Sequence, residues 1–484
     1  MLTESQDGIC KRLRTLHHRP KLKLMSNSIF RKNISLLALL PFLLIAPAIA
    51  QEEEASPESE QPQARLRIRF VERPVAIEPG VVPQLPEIVV PDLAIDPETD
   101  PEFIRRMNSI TEYSETVDSI EESGGAWASG LSEQLSSIGE LEQQQGNHPG
   151  AIAAFDRAIH ISRISNGLHT LDQIPIVESM IDSYLLLGNW EQADLYNNYL
   201  FFVQQKAYGP EDPRIIPVLD RLATWNMQAF NVGYGESLGV RLSSAQLLFR
   251  AAARLVGTHF GRGDERFVRY LRNLAISSYQ VARYPEYRVE VDRPEFRGMQ
   301  EVLANRLNQG GSILPQGYGL GEAALRGIVE YYEQSSPDVY SIAEVITHLA
   351  DWYLLFGQRR SADFYYLRAW EMLAAEENSE ELIQKLFGQV TLIPTYEEEP
   401  RNLNINVHSS SMETFNFDYA DVELDVTALG QARSVEVLSE ETPENMLMLS
   451  RLRREVRGSR FRPMLEGGVP VRSGRHQFRY RYWY

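Results

Sequence analysis

Seven of the nine histidines, one cysteine and three short glycine-containing signatures are where this chain could carry chemistry. None stands in a pattern that chemistry needs. His148, His160, His169, His259, His348, His408 and His476 follow the first fifty residues, and none pairs with another His, Asp or Glu at ligand spacing along one helical face. Gly233-Tyr-Gly235 and Gly317-Tyr-Gly319 follow helix-patterned stretches and lack the lysine of a phosphate loop, so they read as loops. Arg262-Gly-Asp264 reads as a loop tripeptide, and no Gly-x-Ser-x-Gly nucleophile elbow occurs. Cys10 lies ahead of an apolar export-like segment, so the exported chain is expected to hold neither a disulfide nor a thiolate metal site. The expectation is a protein with no catalytic residues, no metal site and no cofactor.

Composition points the same way. The 484 residues are 43% hydrophobic and 24% charged, ordinary for globular protein and enough for two or three domains. The formal charge is −18; without the first fifty residues, which carry eight Lys or Arg and two acids, 40 basic and 64 acidic side chains leave −24. Such a body disfavours nonspecific nucleic-acid binding and anionic surfaces. Lys206 and Lys385 are the only lysines after residue 50, so the positive charge is almost all arginine.

The elements that must position any function are helical hairpins. Gly139-x₆-Gly146-Asn147-x₃-Ala151-x₃-Phe155-x₂-Ala158 and Tyr353-x₃-Gly357-x₄-Ala362-x₃-Tyr366-x₂-Ala369 share one logic. An apolar helix ends at a glycine that can take positive φ, and a second amphipathic helix starts a few residues later. The alanine five residues past the turn falls where two backbones come closest, and the aromatic and second alanine follow on the same face. Tyr184-x₃-Gly188-Asn189-Trp190-x₂-Ala193 is a third copy, with Ile181 at a small-residue place and Asn197 at the aromatic one. This spacing resembles the tetratricopeptide repeat. The 42 residues between Gly146 and Gly188 resemble the longer, kinesin-light-chain-like form. The resemblance implies a superhelix whose inner helices line a concave groove, and it places Glu140, Gln143, Glu178, Asp182, Leu185, Asp351 and Leu354 there. Acid mixed with leucine suits a basic or N-terminal peptide segment; a solvated acidic face fits the same residues.

In chain order, Ile34 to Ala50 is apolar, preceded by Arg31 and Lys32 and closed by Ala48-Ile49-Ala50. That is an export signal with cleavage before Gln51, or an uncleaved anchor at the short limit of a span; residues 1–24 read as an over-extended start. Residues 51–100 read as a Pro/Glu-rich extended spacer with β-like runs at 66–71 and 87–90. Asp100-Pro101-Glu102 starts helix, which Ser123-Gly124-Gly125 interrupts. Residues 101–400 read as the helical-repeat domain, with further helices at 214–230, 242–256, 265–284 and 322–333. One insertion, Pro285 to Gly321, carries a single helix-like piece at 297–307.

After Pro400 the period becomes two. Val422 to Val426 and Ser434 to Leu438 form a hairpin around Gly430, Thr442-Pro443-Glu444 opens a helix, and Ser459-Arg-Phe-Arg-Pro463 and Gly467-Gly468 precede a strand with Phe478, Tyr480, Tyr482 and Tyr484 on one face. This α+β module, residues 415–484, resembles the C-terminal domain of TonB-type energy transducers through Gly430, Val435, Val437, Phe461, Pro463, Gly468, Pro470 and Val471. That resemblance implies a periplasmic domain that grips an extended peptide by strand addition. The apolar segment holds only Ser35 in place of an anchor's coupling residues, and no Pro/Lys spacer follows it.

The fold class expected is therefore mainly α, a tetratricopeptide-like superhelix followed by a small TonB-like α+β domain. The function expected is a periplasmic scaffold that binds a protein or peptide partner of the cell envelope, and not nucleic acid. The alternative is an inner-membrane-anchored transducer variant, membrane-associated through residues 34–50, that contacts an outer-membrane receptor. Residues 451–484 hold ten arginines against Glu455 and Glu466, so this tail is also expected to meet the acidic groove in cis.

Overall fold

Four hairpins share the same closing turn. Gly146, Gly188, Gly233 and Gly357 all have φ between 69° and 79°. The residue after each glycine donates its amide back across the turn: Asn147 to Glu142, Asn189 to Tyr184, Tyr234 to Ala229 and Gln358 to Tyr353, at 2.8–2.9 Å. This double closure satisfies carbonyls that a helix C-terminus otherwise orphans, and it requires the left-handed conformation that glycine adopts without strain. The side chains of Asn147 and Asn189 then cap the next helix. Gly233, expected only as a loop glycine, is thus a fourth hairpin turn.

The computed structural model of the chain describes residues 70–71, 73–77, 100–310, 313–335, 338–395, 417–443 and 445–483. Residues 1–50, expected as an export signal, and most of the expected spacer lie outside the described residues, as do His408 and Tyr484. The chain divides into residues 1–63 and a unit of residues 64–484 that holds everything described. It is mainly helical, with a small antiparallel sheet near the C-terminus.

Helix α1 (Pro101–Gly124), capped by Asp100, leads into α2 (Leu131–Gln144) and α3 (His148–Asn166), α4 (Ile174–Leu186) and α5 (Trp190–Tyr208), and α6 (Ile216–Val232) and α7 (Leu238–His259). Helix α8 (Glu265–Arg283) packs against α11 (Tyr318–Ser335); between them run α9 (Glu286–Val291) and α10 (Pro294–Arg306), which lie on α7. The insertion therefore holds two helices, not one, and splits a hairpin. The last pair, α12 (Val339–Leu355) and α13 (Arg359–Ala374), is followed by α14 (Ser379–Phe387).

Packing follows the spacing. Ala151, Phe155 and Ala158 in one hairpin and Ala362, Tyr366 and Ala369 in another are fully buried, as is Ala193. A methyl group on Gly139 would overlap the Phe155 ring, and one on Gly321 would overlap Trp352. Tyr184 stacks on Tyr196, and Tyr353 on Tyr365, both at 14° between ring planes. Ile181 and Asn197, at the deviant places of the third copy, are buried too, with Asn197 bonding the Ala193 carbonyl at 2.8 Å.

Short strands β1 (Phe70–Val71) and β2 (Val75–Ala76) come early in the chain, and β3 (Thr391–Ile393) follows α14. The module then contains β4 (Phe417–Val426), β5 (Ala432–Val437), α15 (Met446–Gly458), β6 (Arg460–Arg462), β7 (Leu465–Glu466), β8 (Val469–Pro470) and β9 (Ser473–Trp483). The sheet runs β1-β9-β4-β5, with β2 also on β9, all pairs antiparallel. Helix α15 covers it, burying Met448, Leu449, Leu452 and Val456 against Val422, Leu424, Phe461, Phe478 and Tyr480.

Two boundaries move. Residues 70–77, expected as spacer, are an edge of the C-terminal sheet. Thr391–Ile393, expected in the helical domain, pairs with β6 in the register Thr391↔Arg462 and Ile393↔Arg460.

Candidate functional site

The seam between the last hairpin and the module is built around one ion pair. Asp351 interrupts the apolar run Leu349-Ala350-Asp351-Trp352-Tyr353-Leu354 and is fully buried, and Arg462 is 4% exposed. The guanidinium grips the carboxylate in a fork, Nη2 to Oδ2 at 2.6 Å and Nε to Oδ1 at 3.1 Å. Arg462 also donates to the Leu386 carbonyl and to Thr395 Oγ1, and Tyr366 donates to Asp351 Oδ1 at 2.7 Å. Four of the five guanidinium N–H donors and both carboxylate oxygens therefore have partners, the kind of pairing under which a buried ion pair is tolerable. Burial works against the charge of Arg462, but Asp351 more than offsets it and leaves the guanidinium above its ordinary value. Burial, then Asp351, push the Tyr366 hydroxyl well up. His348, one turn before Asp351, is held down to about 3 by the surrounding protein and then by Arg462, so it is neutral.

Two of the glycines singled out in the module, Gly430 and Gly468, stand along the same seam. Gly430 has φ +68°; a side chain there would overlap the Phe461 carbonyl and crowd Leu354, and its own carbonyl accepts from the Phe461 amide at 2.9 Å. Gly468, at φ +77°, lies against Leu367 and Trp370 of α13. Phe461 and Pro463 are buried, Pro470 pairs with Leu465 in the small β7–β8 hairpin, and Val435 is in the module's core with Val437 packed against it. Val471 donates its amide to Met464.

These contacts correct two of the expected groove positions. Asp351 and Leu354 are buried under the module and open to no partner. The physical reason is that the module fills the face of α12 that the repeat spacing had assigned to a groove. Arginine of the tail does meet acid of the repeats, at Arg462 and Asp351.

The other five positions lie on α2 and α4, where a row of cross-links joins neighbouring first helices. Gln143 donates to the Ser179 carbonyl and to Ser183 Oγ. Glu178 pairs with Arg221 of α6, and Asp220 of α6 with Arg269 of α8 at 2.9 Å. Gln143 and Glu178 thus hold the array together. Glu140 and Asp182 are exposed and make no ion pair among the described residues, and Leu185 is half-buried beside them. Asp182 is open to water yet walled by protein; this desolvation raises its carboxyl, with Arg221 lowering it and Glu178 raising it.

Sequence reasoning missed Arg221 and Arg269, which pair with Glu178 and Asp220. It also missed a cleft of about 630 Å³ that α10 closes over α5, α6 and α7, with Asp194, Arg241, Asn226, Phe201, Met299 and Gln300 in its wall. Asp194 accepts from Trp225 Nε1 and from Arg241. The lone carboxylate within the apolar run of α12 was the one local signal for the seam.

At the edge of the sheet, β1 and β2 lie along β9 in the register Phe70↔Trp483 and Val75↔Arg479, extended by a hydrogen bond from the Ile77 amide to the Gln477 carbonyl. Arg73, between the two ladders, donates to the Leu392 and Pro394 carbonyls. That edge of β9 is occupied by the chain's own strand. Among the described residues no cluster of three or more His, Cys, Asp or Glu could hold a metal, and no helix is long and apolar enough to cross a membrane.

No family model matches the chain, and no curated protein matches it. Comparison with solved structures aligns it with BtubC (BKLC) from P. vanneervenii, over 56% of this chain and 91% of that one, at 14% identity and a TM-score of 0.31.

Proposed function

We propose that this chain is an exported scaffold of the cell envelope that binds a basic segment of a protein partner on α2 and α4, with no catalytic role. In this reading the helical pairs are tetratricopeptide-like hairpins, and the TonB-like module is their C-terminal cap. The observation that carries the reading is the pairing state of the acids: Gln143 and Glu178 are used internally, whereas Glu140 and Asp182 are left facing solvent beside Leu185. The raised carboxyl of Asp182 marks a negative charge held where solvent screens it poorly, and a partner's Lys, Arg or amino terminus would relieve that cost.

The test is a photo-crosslinking side chain at Leu185, with a second at exposed Val289 as the control, in cells making the full-length chain. A discrete adduct from 185 and not from 289, lost in the Glu140→Arg/Asp182→Arg double variant, is the expected result. An adduct unchanged by the charge reversal, or none from 185, would remove the proposed site. N-terminal sequencing of the same material separates an exported protein starting at Gln51 from one anchored through residues 34–50.

A further inference from the structure

Helix α15 has two faces of opposite character. Its inner face buries Met448, Leu449, Leu452 and Val456 in the module's core. At 100° per residue, Met446, Leu447, Ser450, Arg451, Arg454 and Arg457 fall on the opposite face. Of the acids around that face, Glu455 pairs with Arg283 of α8 at 3.6 Å and Glu441 with Arg453 at 2.9 Å. Arg451, Arg454 and Arg457 make no ion pair among the described residues. Met446 is 55% exposed and Leu447 49%, and Leu438, just before the helix, is 48% exposed.

We infer that this face of α15 docks on an anionic membrane surface, with the arginines on lipid phosphates and Met446 and Leu447 entering the headgroup layer. Charge alone would suit an acidic protein equally. The large apolar side chains at one end of the arginine row favour lipid, because an interfacial helix needs both a cationic band and an apolar edge. The chain as a whole is acidic, so such a surface would repel most of it and attract this face. The repulsion of the remainder fixes the orientation and does not forbid the contact. The inference is independent of the partner site on α2 and α4, which faces a cationic ligand.

The experiment reads α15 locally, so anchoring by the N-terminal segment cannot mimic it. In the full-length chain with Cys10→Ser, Leu447→Cys carries an environment-sensitive fluorophore, and Val289→Cys carries the same label as control. Vesicles of phosphatidylcholine with about one third phosphatidylglycerol are compared with vesicles of phosphatidylcholine alone. A blue shift at 447 only, only with the anionic vesicles and weakened by salt, is expected. Changing Arg451, Arg454 and Arg457 to Gln should weaken the response about tenfold to a hundredfold, and changing them to Lys should largely keep it. No shift with anionic vesicles, or an equal shift with neutral ones, overturns the inference. A shift that grows with protein concentration without vesicles overturns it in favour of self-association, and one produced by polyglutamate alone overturns it in favour of an acidic protein partner.

Discussion

Asp351 and Arg462 set the energetics at the scale of single residues. Removing one member of a buried pair strands the other charge, so Asp351→Ala should cost about 3–5 kcal/mol in denaturant unfolding. The matched change Asp351→Leu with Arg462→Met should cost clearly less, and a double variant as damaged as the single one would contradict this account. His348 adds a pH signature. Its folded pKa of about 3 lies below the ordinary value of 6.5, so between these values the unfolded chain binds the proton and the folded chain does not. Stability from this group is therefore complete above pH 6.5 and is lost as pH falls towards 3, by at most about 1.4 kcal/mol per pH unit. Unfolding of a His348→Gln variant should show a shallower fall over that window, and parallel curves would rule the histidine out. The sequence announced the hairpin alanines because their spacing is local. It did not announce that Asp351 faces Arg462, because that choice depends on a contact 111 residues away.

Among the elements, turns and caps were legible and strand partners were not. Glycine at a helix end, followed by asparagine, is chemistry written within six residues, and Asp100-Pro101 marked the start of α1 equally well. Strands of two or three residues such as β1, β2 and β3 carry no usable alternation, and they exist because β9 and β6 supply their hydrogen bonds. The same reasoning separates two substitutions. Gly321→Ala drives a methyl group into Trp352 at the centre of the helical core and should cost about 1–3 kcal/mol by thermal or chemical unfolding. Arg73→Ala should leave the helices untouched and instead speed hydrogen exchange of the amides between Phe478 and Trp483 that bond the early strands. Unchanged exchange there would mean that the two short ladders hold without the arginine.

On the scale of the whole molecule, helices and module unfold together or apart according to the seam. The β3–β6 ladder, the buried ion pair and the glycine contacts on α12 and α13 couple them, so the intact chain should melt in one transition. A chain with both Asp351→Ala and Arg462→Ala should melt in two, read by circular dichroism of the helices and by hydrogen exchange of the β4–β9 amides. A single sharp transition in that variant would show that the remaining contacts suffice. The sequence divided the body at residues 400 to 415, where composition changes, but long-range pairing does not follow composition.

The early strand on β9 also decides how the body answers a pull. Phe70 pairs with Trp483 and Val75 with Arg479, so a force applied at residues 70 and 483 acts on one and the same end of the antiparallel ladder. Tension between those two residues opens the bonds one after another, as a zipper, rather than shearing them together. The strap is then a mechanical fuse. Under such a force it opens before the helical pairs enter the load path.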